Sequence, residues 1–299
     1  MNESGNAQRN ATQIRFDLPS RVPFQIEQFA DDGAQVLQMR LFNCESDVDY
    51  LVSAFPDELV KNVTWRQESD GVFLARIVLK AGQQWGFFAL YENDTLVLTV
   101  KNAPGINPRN PLRGLRILVD AGHGGSESGA PGAFGVDEKN LNLEIALSLA
   151  AILKKRGADV VLSRGKDTTV PLYDRALLAE KVVADISVSV HGNALPDGAD
   201  PKNSRGAGVY YFQPQSRALA ETLLASLLRD LPEVGNDGLH YQNLALTRPS
   251  TQLCVLVETA FLTDKNNLRL LMSARGRERF AQSLARGLEK FAIRQSSTR

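Results

Sequence analysis

The sequence predicts an α/β fold in which a mostly parallel sheet flanked by helices follows a small antiparallel β-sandwich. Two patterns predict this arrangement. Over residues 14–101 the apolar residues come in short runs separated by turn signals such as Asp31-Asp32-Gly33, which is typical of antiparallel strands. Beyond residue 115, strand-like and helix-like segments alternate, which is typical of a parallel sheet covered by helices.

Local composition divides the chain into four segments. Residues 1–13 are polar, and we expect a disordered or flexible start there. Residues 14–101 form the predicted β-rich accessory domain. Residues 102–114 contain three prolines and two glycines without strand or helix periodicity, so they are the expected linker. Residues 115–294 form the predicted second domain.

The elements of the second domain follow from apolar spacing. Leu141, Ile145 and Leu149 recur at helical spacing ahead of Gly157, which predicts a helix with one face in the core. Short apolar runs between such helices predict buried strands. The predicted strands are residues 116–120, 160–163, 186–191, 209–212 and 253–258, and the predicted helices are residues 140–156, 172–183, 216–231 and 276–294.

Composition excludes several functional classes. Lys and Arg together number 34, as do Asp and Glu, so the chain lacks the basic surface that nucleic acid requires. No run approaches the roughly 18 apolar residues of a membrane span. Cys44 and Cys254 are too far apart for a closely spaced zinc or disulfide pattern. The polar start shows no export signal in this chain.

Two of the three histidines, His123 and His191, follow strand-like runs and are flanked by glycine. Open α/β sheets bind ligands at the carboxyl ends of their strands. A catalytic zinc site takes three protein ligands from His, Asp and Glu, and Glu138 at a predicted helix start is a candidate for the third. The alternatives are structural histidines and an acid that interacts with the helix dipole.

Glu258 ends the last predicted strand, and a carboxylate in such an apolar run is costly to bury without a partner. One interpretation is a general base that deprotonates a metal-bound water. The alternative is a buried acid paired with Arg164 or Arg175.

Five segments, four of which contain these residues, occur in order along the chain: Val119-Asp120-Ala121-Gly122-His123-Gly124-Gly125, Glu138-Lys139-Asn140-Leu141, Ser189-Val190-His191-Gly192-Asn193-Ala194, Arg205-Gly206-Ala207-Gly208-Val209-Tyr210-Tyr211-Phe212 and Val257-Glu258-Thr259-Ala260-Phe261-Leu262. Together they resemble the motifs of zinc-dependent N-acetylmuramoyl-L-alanine amidases, cell-wall hydrolases of the amidase-3 type. The resemblance covers roughly residues 115–294.

The resemblance implies that His123, Glu138 and His191 bind Zn²⁺ and that Glu258 is the catalytic glutamate. It implies hydrolysis of the amide bond between the lactyl group of N-acetylmuramic acid and L-alanine of peptidoglycan stem peptides. The expected location is therefore the cell envelope, either periplasmic or extracellular.

Three further residues are candidates for substrate binding. Asn193 follows the second histidine as in the family, and it is a candidate to orient substrate or the loop. His240 lies in a loop-like stretch, where a surface or packing role is the alternative. Arg248 is a candidate to bind a peptide carboxylate, or it is an ordinary surface arginine.

Two other functions stay open. The same metal and base would suit a zinc peptidase or carboxypeptidase that acts on cell-wall peptides. A further hypothesis is a catalytically inactive peptidoglycan-binding protein.

Residues 14–101 are a candidate to bind the wall or a regulator. Trp65 and Trp85 are candidates to contact a glycan there, although tryptophan in a small sandwich is more often part of the core.

Overall fold

The computed structural model describes residues 11–31, 34–47, 59–80, 82–132, 135–196 and 205–296. It divides into two compact units, Met1–Ala103 and Pro104–Arg299, which are described separately below. Most of the expected flexible start, residues 1–10, lies outside the described residues. The first strand begins at Ala11, three residues before the predicted start of the β-rich segment.

The first unit contains two antiparallel sheets, with strand orders β1-β7-β6 and β2-β3-β5-β4. Alternate residues of β3, such as Leu37 and Met39, are fully buried and share one apolar cluster with Leu98 of the other sheet. Each such side chain contributes about 1.5–3 kcal/mol through burial. The predicted β-sandwich is therefore confirmed. Its strands are β1 (Ala11–Asp17), β2 (Phe24–Asp31), β3 (Ala34–Phe42), β4 (Val60–Ser69), β5 (Val72–Leu79), β6 (Phe87–Glu92) and β7 (Thr95–Lys101).

The two tryptophans of this unit face inward. Trp85 is only 2% exposed, and Trp65 is half-buried against the core cluster. A buried indole ring has no face available for a sugar, so Trp85 is a core residue rather than a glycan contact.

The second unit is built on a sheet of strand order β12-β11-β13-β10-β8-β9 with helices packed against it. Within this sheet β11 runs antiparallel to β13, and the other neighbouring pairs are parallel. Its elements are β8 (Arg116–Ala121), α1 (Glu138–Lys155), β9 (Asp159–Leu162), α2 (Leu172–Lys181), β10 (Ile186–Asn193), β11 (Ala207–Tyr211), α3 (Arg217–Asp230), β12 (Asn236–Tyr241), β13 (Leu253–Phe261), α4 (Lys265–Met272) and α5 (Ala274–Ser296).

Burial of the sheet on both faces explains its sequence. Neither face of the central strands β10 and β13 meets water, so residues 186–190 and 253–257 are all buried. Strand β13 is accordingly a nearly continuous apolar run, whereas β10 alternates apolar residues with the small side chains of Ser187 and Ser189. Helix α1 buries its predicted stripe, including Leu141, Ile145 and Leu149, and ends before Gly157, whose φ of 87° favours glycine. The predicted α/β class is confirmed.

Two elements differ from the sequence prediction, since strand β12 and helix α4 were not predicted. Residues 104–114, which include the completely buried Leu112, are grouped with the second unit, and a linker over residues 102–114 stays a prediction. Among the described residues, no helix has both the length and the apolar character needed to cross a membrane.

Candidate metal centre

His123, Glu138 and His191 converge at the carboxyl ends of the central strands. One ligand atom from each lies within 4.8 Å of the others. The Glu138 carboxylate lies between the two rings, with Oε2 3.2 Å from Nε2 of His123 and Oε1 3.1 Å from Nδ1 of His191. Tetrahedral ligands about 2.0–2.1 Å from a zinc ion lie roughly 3.4 Å apart. The donor set and its spacing therefore fit a catalytic zinc site.

The sheet and its glycines bring these three side chains together. Strands β8 and β10 are parallel neighbours whose register ends at Ala121 and Val190, so the two histidines follow at the same edge. Residue 123 adopts a left-handed φ of 59°, which is uncommon for a residue with a side chain. A Cβ at Gly122 would lie 2.3–2.6 Å from three atoms of the His191 ring, so only glycine fits there.

The Glu138 carboxylate is buried and accepts several hydrogen bonds. Asn142 Nδ2 and the Gly192 amide donate to Oε1 at 2.8 and 3.1 Å, and the Ala130 amide donates to Oε2 at 2.8 Å. Burial acts to raise the pKa of Glu138, but its hydrogen bonds with the two histidines outweigh burial and hold the pKa well below its ordinary value. Glu138 also begins α1, so it occupies the helix-dipole position as well.

Two buried arginines fix the backbone that carries His123. Arg175 donates to the carbonyl oxygens of Ala121 and His123, each at 2.6 Å, and its charge is balanced by Asp120 at 2.6 Å. Arg164 donates to the carbonyl oxygens of Ala121 and Gly122, each at 2.9 Å. These bonds stabilise the left-handed conformation at residue 123.

These contacts also show whether Arg164 or Arg175 pairs with Glu258. Among the described residues, the hydrogen bonds of Arg164 and Arg175 go to Asp120 and to backbone carbonyls, and none goes to Glu258. The interpretation of Glu258 as an acid paired with either arginine is therefore wrong.

Glu258 lies beside the metal candidates, in register with His191 on the neighbouring parallel strand. Its Oε2 is buried and has no hydrogen-bond partner among the described residues. The pKa of Glu258 is raised to about 7, mainly by burial and in smaller part by the nearby charges of Glu138 and Asp237, while His191 acts to lower it. A carboxyl group with a pKa close to neutrality can both accept and release a proton.

The three candidates for substrate binding lie in three different parts of the second unit. Asn193 ends β10, and its side chain accepts a hydrogen bond from the Ala194 amide at 2.8 Å. His240 lies on β12 rather than in a loop, which corrects the sequence prediction, because β12 pairs in parallel with β11. Arg248 is exposed and donates a hydrogen bond to Asn243 of its own loop at 2.8 Å, and a role in binding substrate stays a prediction.

Several residues around the centre were missed from the sequence. Asn142 lies four residues after Glu138, a helical spacing that places it on the same face, so this signal was available. Arg175 was considered only as a partner of Glu258, and its bonds to the backbone carbonyls of Ala121 and His123 were missed because such bonds leave no sequence pattern. Asp237 stands on strand β12, which was not predicted, so the apolar pattern did not mark it.

Comparison with known proteins gives a consistent result. The family model of N-acetylmuramoyl-L-alanine amidase matches residues 117–290. The chain is 32% identical over 184 residues to the probable cell wall amidase LytH of Staphylococcus epidermidis, covering 61% of this chain and 60% of that protein. The corresponding protein of Staphylococcus aureus is 30% identical over 189 residues, with 62% of each chain covered. The chain thus spans about 60% of the length of these curated relatives.

Solved structures are also similar. The N-acetylmuramoyl-L-alanine amidase AmiC2 of Nostoc punctiforme has a TM-score of 0.57 and 34% identity, covering 62% of this chain and 98% of that one. The catalytic domain of CwlV, an N-acetylmuramoyl-L-alanine amidase from Bacillus (Paenibacillus) polymyxa, has a TM-score of 0.54 and 31% identity, covering 59% and 97%.

Proposed function

The chain belongs to the N-acetylmuramoyl-L-alanine amidase family, and on this premise we propose that it cleaves peptidoglycan at the amide between the lactyl group of N-acetylmuramic acid and L-alanine, using a zinc-activated water. The observation that carries the proposal is the convergence of two imidazoles and a carboxylate next to Glu258, whose buried Oε2 has no hydrogen-bond partner among the described residues.

His123, Glu138 and His191 are the residues that would hold the zinc. When bound, zinc supplies Lewis acidity for the scissile carbonyl and lowers the pKa of water toward neutrality. Glu258 accepts a proton from the attacking water at its unpartnered Oε2 and then delivers that proton to the leaving nitrogen. The low-pKa carboxylate of Glu138 stays anionic throughout, which suits a ligand rather than a base.

The test is product analysis with purified, zinc-loaded protein on sonicated cell wall. We expect intact stem peptides with new L-alanine amino termini, together with glycan that carries free lactyl carboxylates. Free amino acids or shortened peptides would favour the zinc peptidase or carboxypeptidase instead. Bound zinc without any turnover would favour an inactive peptidoglycan-binding protein. Glu258→Gln is the matched control because it removes the proton acceptor and leaves the three ligands in place.

We propose the cell envelope as the site of action, because the substrate lies there and the relatives are named probable cell wall amidases. In the same proposal, residues 115–294 are the catalytic domain and residues 14–101 are an accessory domain that binds the wall or a regulator. Co-sedimentation of the full chain with cell walls, compared between wild type and variants of exposed residues in the first unit, tests this assignment. Unchanged sedimentation for every such variant would count against wall binding.

A further inference from the structure

A second group of polar side chains lies beside Glu258 on strands β11 and β12, whereas His191 lies on the neighbouring strand in the other direction along the sheet. The His240 ring stacks on Tyr210 with ring centroids 4.4 Å apart and an interplanar angle of 23°. His240 Nε2 lies 3.0 Å from Oδ2 of Asp237. All three side chains are only partly buried, so a ligand can reach them. The stack and this hydrogen bond hold the Asp237 carboxylate in one orientation.

The strand order places this group in line with the catalytic residues. His191 on β10 is the register partner of Glu258 on β13, and Glu258 is the register partner of Gly208 on β11. A Cβ at residue 208 would lie 2.7 Å from Oδ2 of Asp237. The Asp237 carboxylate therefore lies over the bare backbone of Gly208, next to Glu258, where its charge acts on Glu258.

The chemistry of amide hydrolysis gives this carboxylate a ligand. The C–N bond breaks as the hydroxyl of water joins the carbonyl carbon. One proton of the water reaches the nitrogen through Glu258, and the proton of the new carboxylic acid makes the amine an ammonium. An α-amino group has a pKa of about 7.7–8.0, so the leaving peptide carries a positive charge near neutral pH. The other product is an anion.

Charge complementarity then orients the substrate. The side of Glu258 on which His123, Glu138 and His191 would hold a cation suits the anionic product, and the side that carries Asp237 suits an ammonium. We propose that Asp237, held by His240 and Tyr210, binds the amino terminus of the leaving peptide, and that it accepts the N–H of the same nitrogen before cleavage. This inference rests on the proposed amidase function and adds the direction in which the substrate crosses the sheet.

Product inhibition tests the inference. The probe is the stem peptide that the protein itself releases, used with a free amino terminus or N-acetylated. For wild type we expect competitive inhibition by the free peptide and much weaker inhibition by the acetylated one. Asp237→Asn keeps the shape but removes the charge, so the inhibition constant of the free peptide should rise roughly tenfold to a hundredfold, the usual range for a charge-assisted hydrogen bond.

The matched control is Asp159→Asn, because Asp159 is an exposed acid paired with Arg116 at the opposite end of the sheet. It should leave both inhibition constants unchanged. His240→Gln is a second variant that leaves Asp237 in place but removes the stack. It should raise the inhibition constant of the free peptide by less than Asp237→Asn does. Thermal unfolding of each variant shows that the fold is retained.

The inference is overturned if Asp237→Asn binds the free peptide as tightly as wild type, or if acetylation makes no difference to wild type. These outcomes differ from failure of the proposed function, which would appear as absent turnover by wild type on cell wall. In that case isothermal titration calorimetry of the zinc-loaded protein still tests whether Asp237 binds the amino terminus. The two synthetic peptides both begin with L-alanine, one with a free and one with an acetylated amino group.

Discussion

Gly122→Ala should weaken zinc binding without unfolding the protein. The added Cβ would lie 2.3, 2.5 and 2.6 Å from Cε1, Nε2 and Nδ1 of the His191 ring. Carbon atoms in contact normally lie about 3.5–4.0 Å apart, so the ring has to retreat by roughly 1 Å. The backbone at Gly122 is not in the left-handed region, so alanine strains the ring position and not the main chain.

The displacement is large compared with what a metal site tolerates. Ligand distances in zinc sites hold to within about 0.2 Å, so a shift of roughly 1 Å removes His191 from the coordination sphere or distorts it. Changes in residues that only orient a ligand already cost about 10- to 100-fold in metal affinity. We therefore expect the zinc dissociation constant, measured by competition with a chromogenic chelator, to rise at least tenfold.

Gly165→Ala is the matched control, since a Cβ there meets no atom within 4 Å and its backbone is also outside the left-handed region. It should leave the zinc dissociation constant at the wild-type value. Equal zinc affinity for Gly122→Ala and wild type, with the metal-free proteins unfolding at similar temperatures, would refute the role assigned to His191.

Three other predictions concern the same centre. Glu258→Gln should lower turnover of cell wall by about 10² to 10⁴ while zinc affinity is retained, and loss of zinc from this variant would contradict its role as base. Arg175→Lys cannot hold the carbonyls of Ala121 and His123 together, so zinc affinity should fall roughly tenfold or more, whereas Arg116→Lys at the other end of β8 should change nothing. In metal-free protein the pKa of Glu258 is raised to about 7, so its protonated form stabilises the fold. The free energy of unfolding should therefore decrease as the pH rises from the ordinary glutamate pKa through about 7. Urea titrations at a series of pH values should show a smaller decrease for Glu258→Gln than for wild type.

The spacing of apolar residues was sufficient to predict most strands and helices of the second unit, because its central strands are buried on both faces and its helices bury one stripe. It failed for β12, which contains few apolar residues and has a positive φ at Gly238 and at Gly235 just before it. It also failed for α4, a helix of only eight residues of which half are polar. There the capping signal was present, since Asp264 accepts hydrogen bonds from the amides of Asn266 and Asn267.

The site could be predicted only as far as strand ends could be located. His123 and His191 follow apolar runs, so their common edge was foreseeable from the rule that parallel strands end together. The contacts that hold the backbone at this edge could not be predicted, because Arg175 lies 52 residues from His123 in the sequence and donates to its carbonyl oxygen. Asp237 was missed for a different reason, since its neighbourhood depends on a strand that the sequence pattern hides.

The register between β10 and β13 decides whether this chemistry exists. His191 stands opposite Glu258, and the residues before them, Val190 and Val257, are both completely buried. A slip of one residue would send every side chain of β13 to the other face of the sheet, so that Val257 or Thr259 would stand where the base now stands. The Glu258 carboxylate would then be buried on the opposite face without the histidines beside it, and burial of an unpaired charge is costly. The alternation of side chains along β13 therefore fixes which carboxylate lies beside the second histidine, and the relative position of ligand and base depends on this strand pairing.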